Sequence, residues 1–246
     1  MFLSRDEVQR YEQWENSPPG RFALRQELKL LFCLMSQWPR RKQSLLDVGC
    51  GTGFFLNHFW QTGFEVTGLD RSPPMLAKAR ERLGNRADLH LGQADHLPFA
   101  DKEFDFVTLL TVLEFCQNPG AVVAEAGRVA RKGLVIGFLN RCSLYYLTKG
   151  KPWRGHSQGS LTRAGWLTST ELKHLVRQRI GPRPLKAGSV LAGPQCTWKE
   201  RLPWRFLNGL LLPVSCGAYG GLRVDLVGEK CMTPLLAWKA QPKPTQ

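Results

Sequence analysis

Three glycines, three acids and the end of one apolar run are the residues of this 246-residue chain whose types and spacing could do chemistry. In Leu46-Asp47-Val48-Gly49-Cys50-Gly51-Thr52-Gly53 an apolar stretch runs into glycines at every second position, and a helical pattern follows. Glycine tolerates positive φ and lets bare backbone approach a ligand, so the segment fits a nucleoside-type cofactor. The third glycine comes one residue earlier than in the dinucleotide fingerprint, and no Lys-Ser/Thr ending supplies a phosphate cradle. Asp70 closes the next apolar run, Val66-Thr67-Gly68-Leu69-Asp70. An acid there can accept hydrogen bonds from both ribose hydroxyls and repels a 2′-phosphate. Asp95, in Gln93-Ala94-Asp95-His96-Leu97-Pro98-Phe99, can accept from an adenine amino group while the His96 amide donates to the ring. The run 104–115 offers backbone carbonyls at Leu110 and Thr111, at the strand end where ligands sit in open parallel sheets. Each feature also has a plain packing role. The glycines suit a tight strand–turn–helix, Asp70 a helix cap before Pro73, Asp95 a turn, and most of 104–115 a buried central strand.

Holding these residues together takes alternating strands and helices. Hydrophobic spacing predicts strands at 44–49, 65–70, 88–91, 104–110 and 134–139, with helices at 54–61, 73–83 and 120–129 between them. That alternation is the signature of a doubly wound α/β fold, a mostly parallel sheet covered on both faces. Ahead of it, residues 6–38 read as two helices with a break at Ser17-Pro18-Pro19-Gly20. Leu24, Leu28, Leu31 and Met35 mark the buried face of the second. Beyond Asn140 the pattern weakens. Residues 141–162 carry Tyr145, Tyr146, Trp153, Arg154 and His156 among loop formers and read as a lid-like insertion after strand five. Thr168-Ser169-Thr170-Glu171 resembles a capping box opening a helix at 169–177. One more strand is expected within 182–194 and a last one at 221–230. Between them, Leu207, Leu210 and Leu211 lie at helical spacing and are expected to pack as a core helix. The organisation so read is a helical lead-in at 1–43, a cofactor-binding core at 44–140, a basic substrate-side segment at 141–240 and a disordered tail at 241–246.

The charge is lopsided. Residues 1–127 hold 14 Lys/Arg against 16 Asp/Glu, and residues 128–246 hold 20 against 4, for a net +14. The excess lies beyond the cofactor motifs and would attract an anion: a carboxylate, a phosphate, an acidic carrier protein, a nucleic acid or an anionic membrane surface. No apolar stretch reaches the roughly 18 residues of a membrane span. The first residues turn charged at once, so a cytoplasmic location is expected. Seven cysteines, an odd number and none in Cys-x-x-Cys spacing, argue against a disulfide framework and against a zinc site.

Taken together, Leu46-Asp-Val-Gly-Cys-Gly-Thr-Gly53, Gly68-Leu-Asp70, Met75-Leu76, Asp95 with Leu97-Pro-Phe99, and Phe104-Asp105 resemble the type 11 family of class I S-adenosylmethionine-dependent methyltransferases, which includes quinone-ring and malonyl-carrier-protein methyltransferases. The resemblance covers about 44–120 and fades through 140. It implies a Rossmann-like seven-stranded sheet in the order 3-2-1-4-5-7-6 with an antiparallel last strand. It also implies S-adenosylmethionine as methyl donor, S-adenosylhomocysteine as product and no metal. The cofactor-binding residues it implies are Asp47, Gly49, Cys50, Gly51, Thr52, Gly53, Asp70, Arg71, Met75, Asp95, His96, Leu110 and Thr111. Tyr11-x-x-Trp14 with Pro19-Gly20-Arg21 resembles a lead-in that folds over the cofactor in some members, which adds Tyr11. Many members carry a histidine just after strand four. Here Leu113-Glu114 is followed by Phe115, so a role resting on that histidine is absent.

Methyl transfer from a sulfonium needs mainly alignment and desolvation. A base is required only where the nucleophile is protonated. His156, beside Trp153 and Arg154, is the candidate base, with Tyr145, Tyr146, Trp153 and Arg154 as substrate-side candidates. The leading reading is a methyltransferase for a small, acidic or amphipathic acceptor, free or carrier-bound, methylated at oxygen or carbon, with peripheral membrane contact as a further partner. A second is an RNA or protein methyltransferase docking through the basic half. It is less favoured because no Asn-Pro-Pro-Tyr-type tetrapeptide follows strand four. A third is a non-catalytic cofactor-binding subunit that regulates a partner.

Overall fold

The computed structural model describes residues 5–151, 160–212 and 216–227, and the statements below concern those residues. Five strands, β1 (Ser44–Val48), β2 (Glu65–Asp70), β3 (Ala87–Leu91), β4 (Phe104–Leu110) and β5 (Ala130–Leu139), pair in parallel. β7 (Tyr219–Asp225) runs antiparallel between β5 and β6 (Leu185–Val190), completing a sheet of order β3-β2-β1-β4-β5-β7-β6. The helices are α1 (Arg5–Asn16), α2 (Pro18–Leu34), α3 (Phe54–Gln61), α4 (Pro73–Leu83), α5 (Pro119–Val129), α6 (Ser160–Arg163), α7 (Ser169–Arg179) and α8 (Trp204–Gly209).

Alternate strand residues point to opposite faces, and both faces are buried. Leu45, Phe106 and Val135 join one core with Leu31 of α2, Phe59 of α3 and Leu76 of α4. Leu46, Val107 and Leu134 join the other with Val122 of α5 and Leu172 and Val176 of α7. Full burial of each large apolar side chain contributes roughly 1.5–3 kcal/mol, so the near-continuous apolar character of β4 follows from its having no solvent face. α2 covers the β5-β7-β6 part of the sheet. There Trp38, just beyond the helix, stacks on Phe106 at 4.2 Å and lies 5.2 Å from the Arg223 guanidinium.

Local boundaries have local causes. Ser17 caps α2 by accepting from the Gly20 amide at 3.1 Å, and Pro18 and Pro19 occupy the first turn, where a missing N–H costs nothing. The expected break is therefore one residue wide. Thr168 and Glu171 form the reciprocal capping box of α7. β5 begins four residues before the expected 134. Its polar start is held because Arg131 and Lys132 both pair with Asp105 of β4.

The segment after β6 departs from expectation. Leu207, Leu210 and Leu211 do not form a core helix; they are 42, 41 and 52% exposed. α8 is six residues long, and its buried member is Asn208. That side chain donates to the Thr197 and Trp204 carbonyls and accepts from the Gly193 amide, so a polar residue fixes the helix and turns the leucines outward. The last strand starts at Tyr219, two residues before the expected start. The tail at 241–246 lies outside the described residues.

Candidate active site

Gly49, Gly51 and Gly53 all have positive φ, at 76°, 54° and 74°. The Gly49 and Cys50 amides donate to the Leu69 carbonyl at 2.6 and 3.1 Å, which ties the loop after β1 to β2. A Cβ on Gly49 would sit 2.5 Å from a Val112 methyl, so both backbone and packing require glycine. A Cβ on Gly51 would meet nothing within 4 Å; this is where the loop faces open space.

Asp70 is 9% exposed and bridges two backbones, with Oδ2 accepting from the Gly51 amide at 2.9 Å and Oδ1 from the Ser72 amide at 2.8 Å. Each oxygen keeps a further lone pair. Burial pushes its pKa up, opposed by those two amides and by nearby Arg71. Ser72, the residue before α4, makes no side-chain cap, so Asp70 is the acid that organises this turn. Asp47 lies behind the loop, 2% exposed, and accepts from the Thr108 hydroxyl at 2.7 Å. Burial raises its pKa to about 7; the Thr108 bond lowers it, and the like charge of Asp70 raises it further. Cys50 is buried and its thiol is pushed up by desolvation. Met75 is buried in the first turns of α4.

α1 is fastened over this corner. Thr52 donates to Glu15 at 2.8 Å, and Arg82 of α4 bonds both Thr52 and Glu15. Lys78 of α4 pairs with Glu12 at 3.4 Å. Thr52 is thus spent on α1. Tyr11 is half-buried, and its phenol is pushed up by desolvation and then by the charges of Glu15 and Glu27.

The remaining expected cofactor residues divide. Asp95 and His96 are exposed, and the His96 amide donates to the Gln93 carbonyl at 3.3 Å, which closes the turn on itself. Leu110 is buried at the end of β4. Thr111 follows at φ 55°, with its amide bound to the Gly137 carbonyl at 2.9 Å. A β-branched residue in the left-handed region is strained, and such strain gathers at sites where backbone groups are aimed.

On the substrate side, Tyr145 is buried between Trp166 and Trp198, with ring centroids 5.7 and 4.8 Å away, and Tyr146 meets Trp166 edge-on at 5.3 Å. Trp153, Arg154 and His156 lie outside the described residues. Three other histidines have local partners: His58 bonds the Phe54 carbonyl, His90 packs on Phe99 and His174 bonds Gln178. Among the described residues no group of three metal-ligating side chains gathers.

Sequence reasoning missed Glu15, Arg82, Glu27 and Tyr219 and used Glu114 only as a marker. One signal was readable: Glu27 stands on the apolar face defined by Leu24, Leu28 and Leu31 and is 9% exposed, with burial raising its pKa to about 8.

Comparison with known proteins bears on the family and the fold. A methyltransferase-domain family matches residues 46–137. A malonyl-[acyl-carrier protein] O-methyltransferase of Hamiltonella defensa is 39% identical over 98 residues, 40% of this chain and 38% of that protein, so the chain spans well under half the length of this relative. An uncharacterized protein of Methanocaldococcus jannaschii is 34% identical over 150 residues, 59% of this chain and 67% of that one. A SAM-dependent methyltransferase of Thermotoga maritima, described as a possible histamine N-methyltransferase, has the same fold. Its TM-score is 0.72 at 24% identity, with 91% of this chain and 98% of that one covered. Residues 46–137 thus belong to the methyltransferase-domain family, and the chain shares its fold with a SAM-dependent methyltransferase.

Proposed function

We propose that the loop after β1 holds S-adenosylmethionine and that the chain methylates a small amphipathic acceptor, free or carrier-bound, at oxygen or carbon. The observation that carries this reading is the division of labour in the loop. Gly49 and Gly53 pack against Val112 and Leu83, while Gly51 faces open space beside an Asp70 carboxylate with lone pairs to spare. The residues present fit the cofactor. Asp70 would take the ribose hydroxyls, Asp95 the adenine amino group, and the Gly51 backbone with Asp47 behind it the methionine end. Arg71 and Met75 would border the nucleoside, and Leu110 and Thr111 the methyl. When bound, the sulfonium supplies an activated methyl group whose leaving group is a neutral thioether. The protein's own part is alignment by Thr111 and exclusion of water by α1, tied down through Glu15.

The acceptor class rests on two supports: relatives named for a carrier-bound malonyl group and a basic, apolar-studded surface after β5. The RNA or protein reading rests on the basic half alone, and Arg128, Arg131, Lys132, Arg141 and Arg223 of that half already pair with acids. Calorimetry with S-adenosylmethionine, S-adenosylhomocysteine and NAD tests the cofactor. Binding of NAD in place of the other two would refute it. Transfer of a labelled methyl group to fractionated metabolites, with mass identification of the product, tests the acceptor. Clear binding without transfer to any fraction would favour a regulatory subunit.

A further inference from the structure

Of the twelve large apolar side chains that stand exposed among the described residues, six fall between Leu202 and Leu211. Two more, Leu144 and Leu147, bracket Tyr145 and Tyr146. The Tyr145 ring meets Trp198 at 4.8 Å, which brings the two stretches side by side. Both leave the sheet at the same end. Leu139, the last residue of β5, and Val190, the last of β6, each pair with Tyr219. The segments that follow them therefore start from one rung, at the C-terminal ends of the parallel strands. The exposure is also built in. Asn208 of α8 is fully buried, its amide donating to the Thr197 and Trp204 carbonyls and its oxygen accepting from the Gly193 amide. Residues two apart in an α-helix point to nearly opposite sides, and Phe206 is 68% exposed. A helix that served only to pack on its own protein would bury the phenylalanine and expose the asparagine.

Charge is placed to match. Residues 141–151 and 191–212 together hold six Lys/Arg and one acid. The acid, Glu200, is paired with Arg25 of α2 at 2.7 Å. Of the six cations only Arg141 pairs with an acid among the described residues. Lys149, Lys151, Lys199, Arg201 and Arg205 are exposed. Contiguous exposed apolar surface marks an interaction site, and unpaired cations set among it select an anionic partner. Leu202 and Phe206, 78 and 68% exposed, project from the surface. A protein partner needs a shape-matched hollow for such projections. A bilayer needs none, because acyl chains take side chains of any shape while headgroup phosphates take the cations. Trp204 suits the boundary between the two. No described helix is long and apolar enough to cross a membrane, so the contact is peripheral. We propose that this surface docks the protein on an anionic lipid bilayer, with Leu202, Phe206 and Leu207 entering the acyl boundary and Lys199, Arg201 and Arg205 meeting headgroup phosphates. The docking does not depend on the methyltransferase reading. Joined to it, an amphipathic acceptor is met at the membrane, at the end of the sheet that carries the loop after β1.

The full chain, mixed with vesicles and floated on a density gradient, tests this. One set of vesicles is phosphatidylcholine alone, the other equimolar phosphatidylcholine and phosphatidylglycerol. The protein should float with the mixed vesicles and much less with the neutral ones, and added salt should weaken the binding. A Leu202→Ser/Phe206→Ser variant should partition about tenfold less onto the mixed vesicles. Arg201→Gln/Arg205→Gln should also lose about tenfold there, and nothing on the neutral ones. Urea midpoints like that of the wild type report that both variants are folded. No flotation with the mixed vesicles, or flotation that the serine variant leaves unchanged, overturns the docking. Equal flotation with both kinds of vesicle overturns the role assigned to the cations. A wild-type dimer in sedimentation velocity that the serine variant dissociates gives the surface to a second copy of the chain. Retention on immobilised polyglutamate without flotation gives it to an acidic protein. Either result overturns the proposal. Calorimetry with S-adenosylhomocysteine, independent of all these outcomes, tests the methyltransferase reading separately.

Discussion

The corner around the loop after β1 and the stretch 202–211 break the same rule in opposite directions. At the loop, acidic side chains are buried: Asp47, Asp70 and Glu15 are each less than 10% exposed. On the stretch, apolar side chains are bare: Leu202 is 78% and Phe206 68% exposed. Burying a charge costs far more than exposing a leucine, and the protein treats the two accordingly. Asp47 and Asp70 receive hydroxyl or amide hydrogen bonds and Glu15 a hydroxyl bond and a guanidinium, whereas the exposed apolar run is held by one asparagine. The first region is specified atom by atom and the second by a single tether.

Four substitutions and one pH series would break or sharpen that contrast. The largest effect is expected for Gly49→Ala, which adds left-handed strain to a clash with Val112. A stability loss of about 3 kcal/mol in urea unfolding follows from typical costs of each, and an unchanged midpoint would show the loop to be slack. Asp70→Ala should weaken S-adenosylhomocysteine binding by roughly 1.5–3 kcal/mol in calorimetry; unaltered affinity removes Asp70 from the site. Glu15→Ala strands Thr52 and Arg82 and should cost about 1–2 kcal/mol of stability, measured the same way.

The pH series follows from three acids whose folded values are raised by burial, Glu27 to about 8 and Asp47 and Glu114 to about 7. In the fold they stay neutral where the unfolded chain has ionised, so unfolding releases protons. Their effect is nil below the unfolded values near 4, and stability falls as pH rises towards 7–8. Urea midpoints should drop over that range, less so in Glu27→Gln; a flat profile would contradict the assigned burial. Smallest of all, Phe206→Ser should leave stability within about 0.5 kcal/mol. A larger loss would show that the exposed face packs against something.

The sheet and the loop were legible because period-two burial, glycine spacing and an acid at a strand end are local patterns. β1 to β4 and their helices fall within a residue or so of expectation. What escaped was non-local. Leu139 and Tyr219 are 80 positions apart in the numbering and face each other only because β7 inserts beside β5. Leucine spacing at 207, 210 and 211 implied a buried helix, but a helix of under two turns presents whichever side its tether allows, and Asn208 chose. Thr52 looked like a ligand residue because of its neighbours, while its hydroxyl serves a helix some 37 positions earlier.

The position of β7 has a consequence for how the chain is made. β6 pairs with β7 in the sheet and β5 turns its outer edge to the same strand. During synthesis, β5 and β6 both emerge before the strand that joins them. Until Tyr219–Asp225 has left the ribosome, β5 shows an open, apolar edge and β6 has no strand to lie against. Unpaired edges of this kind template association between chains. Any break in translation after residue 139 and before residue 225 therefore yields the parallel part of the sheet with an adhesive side.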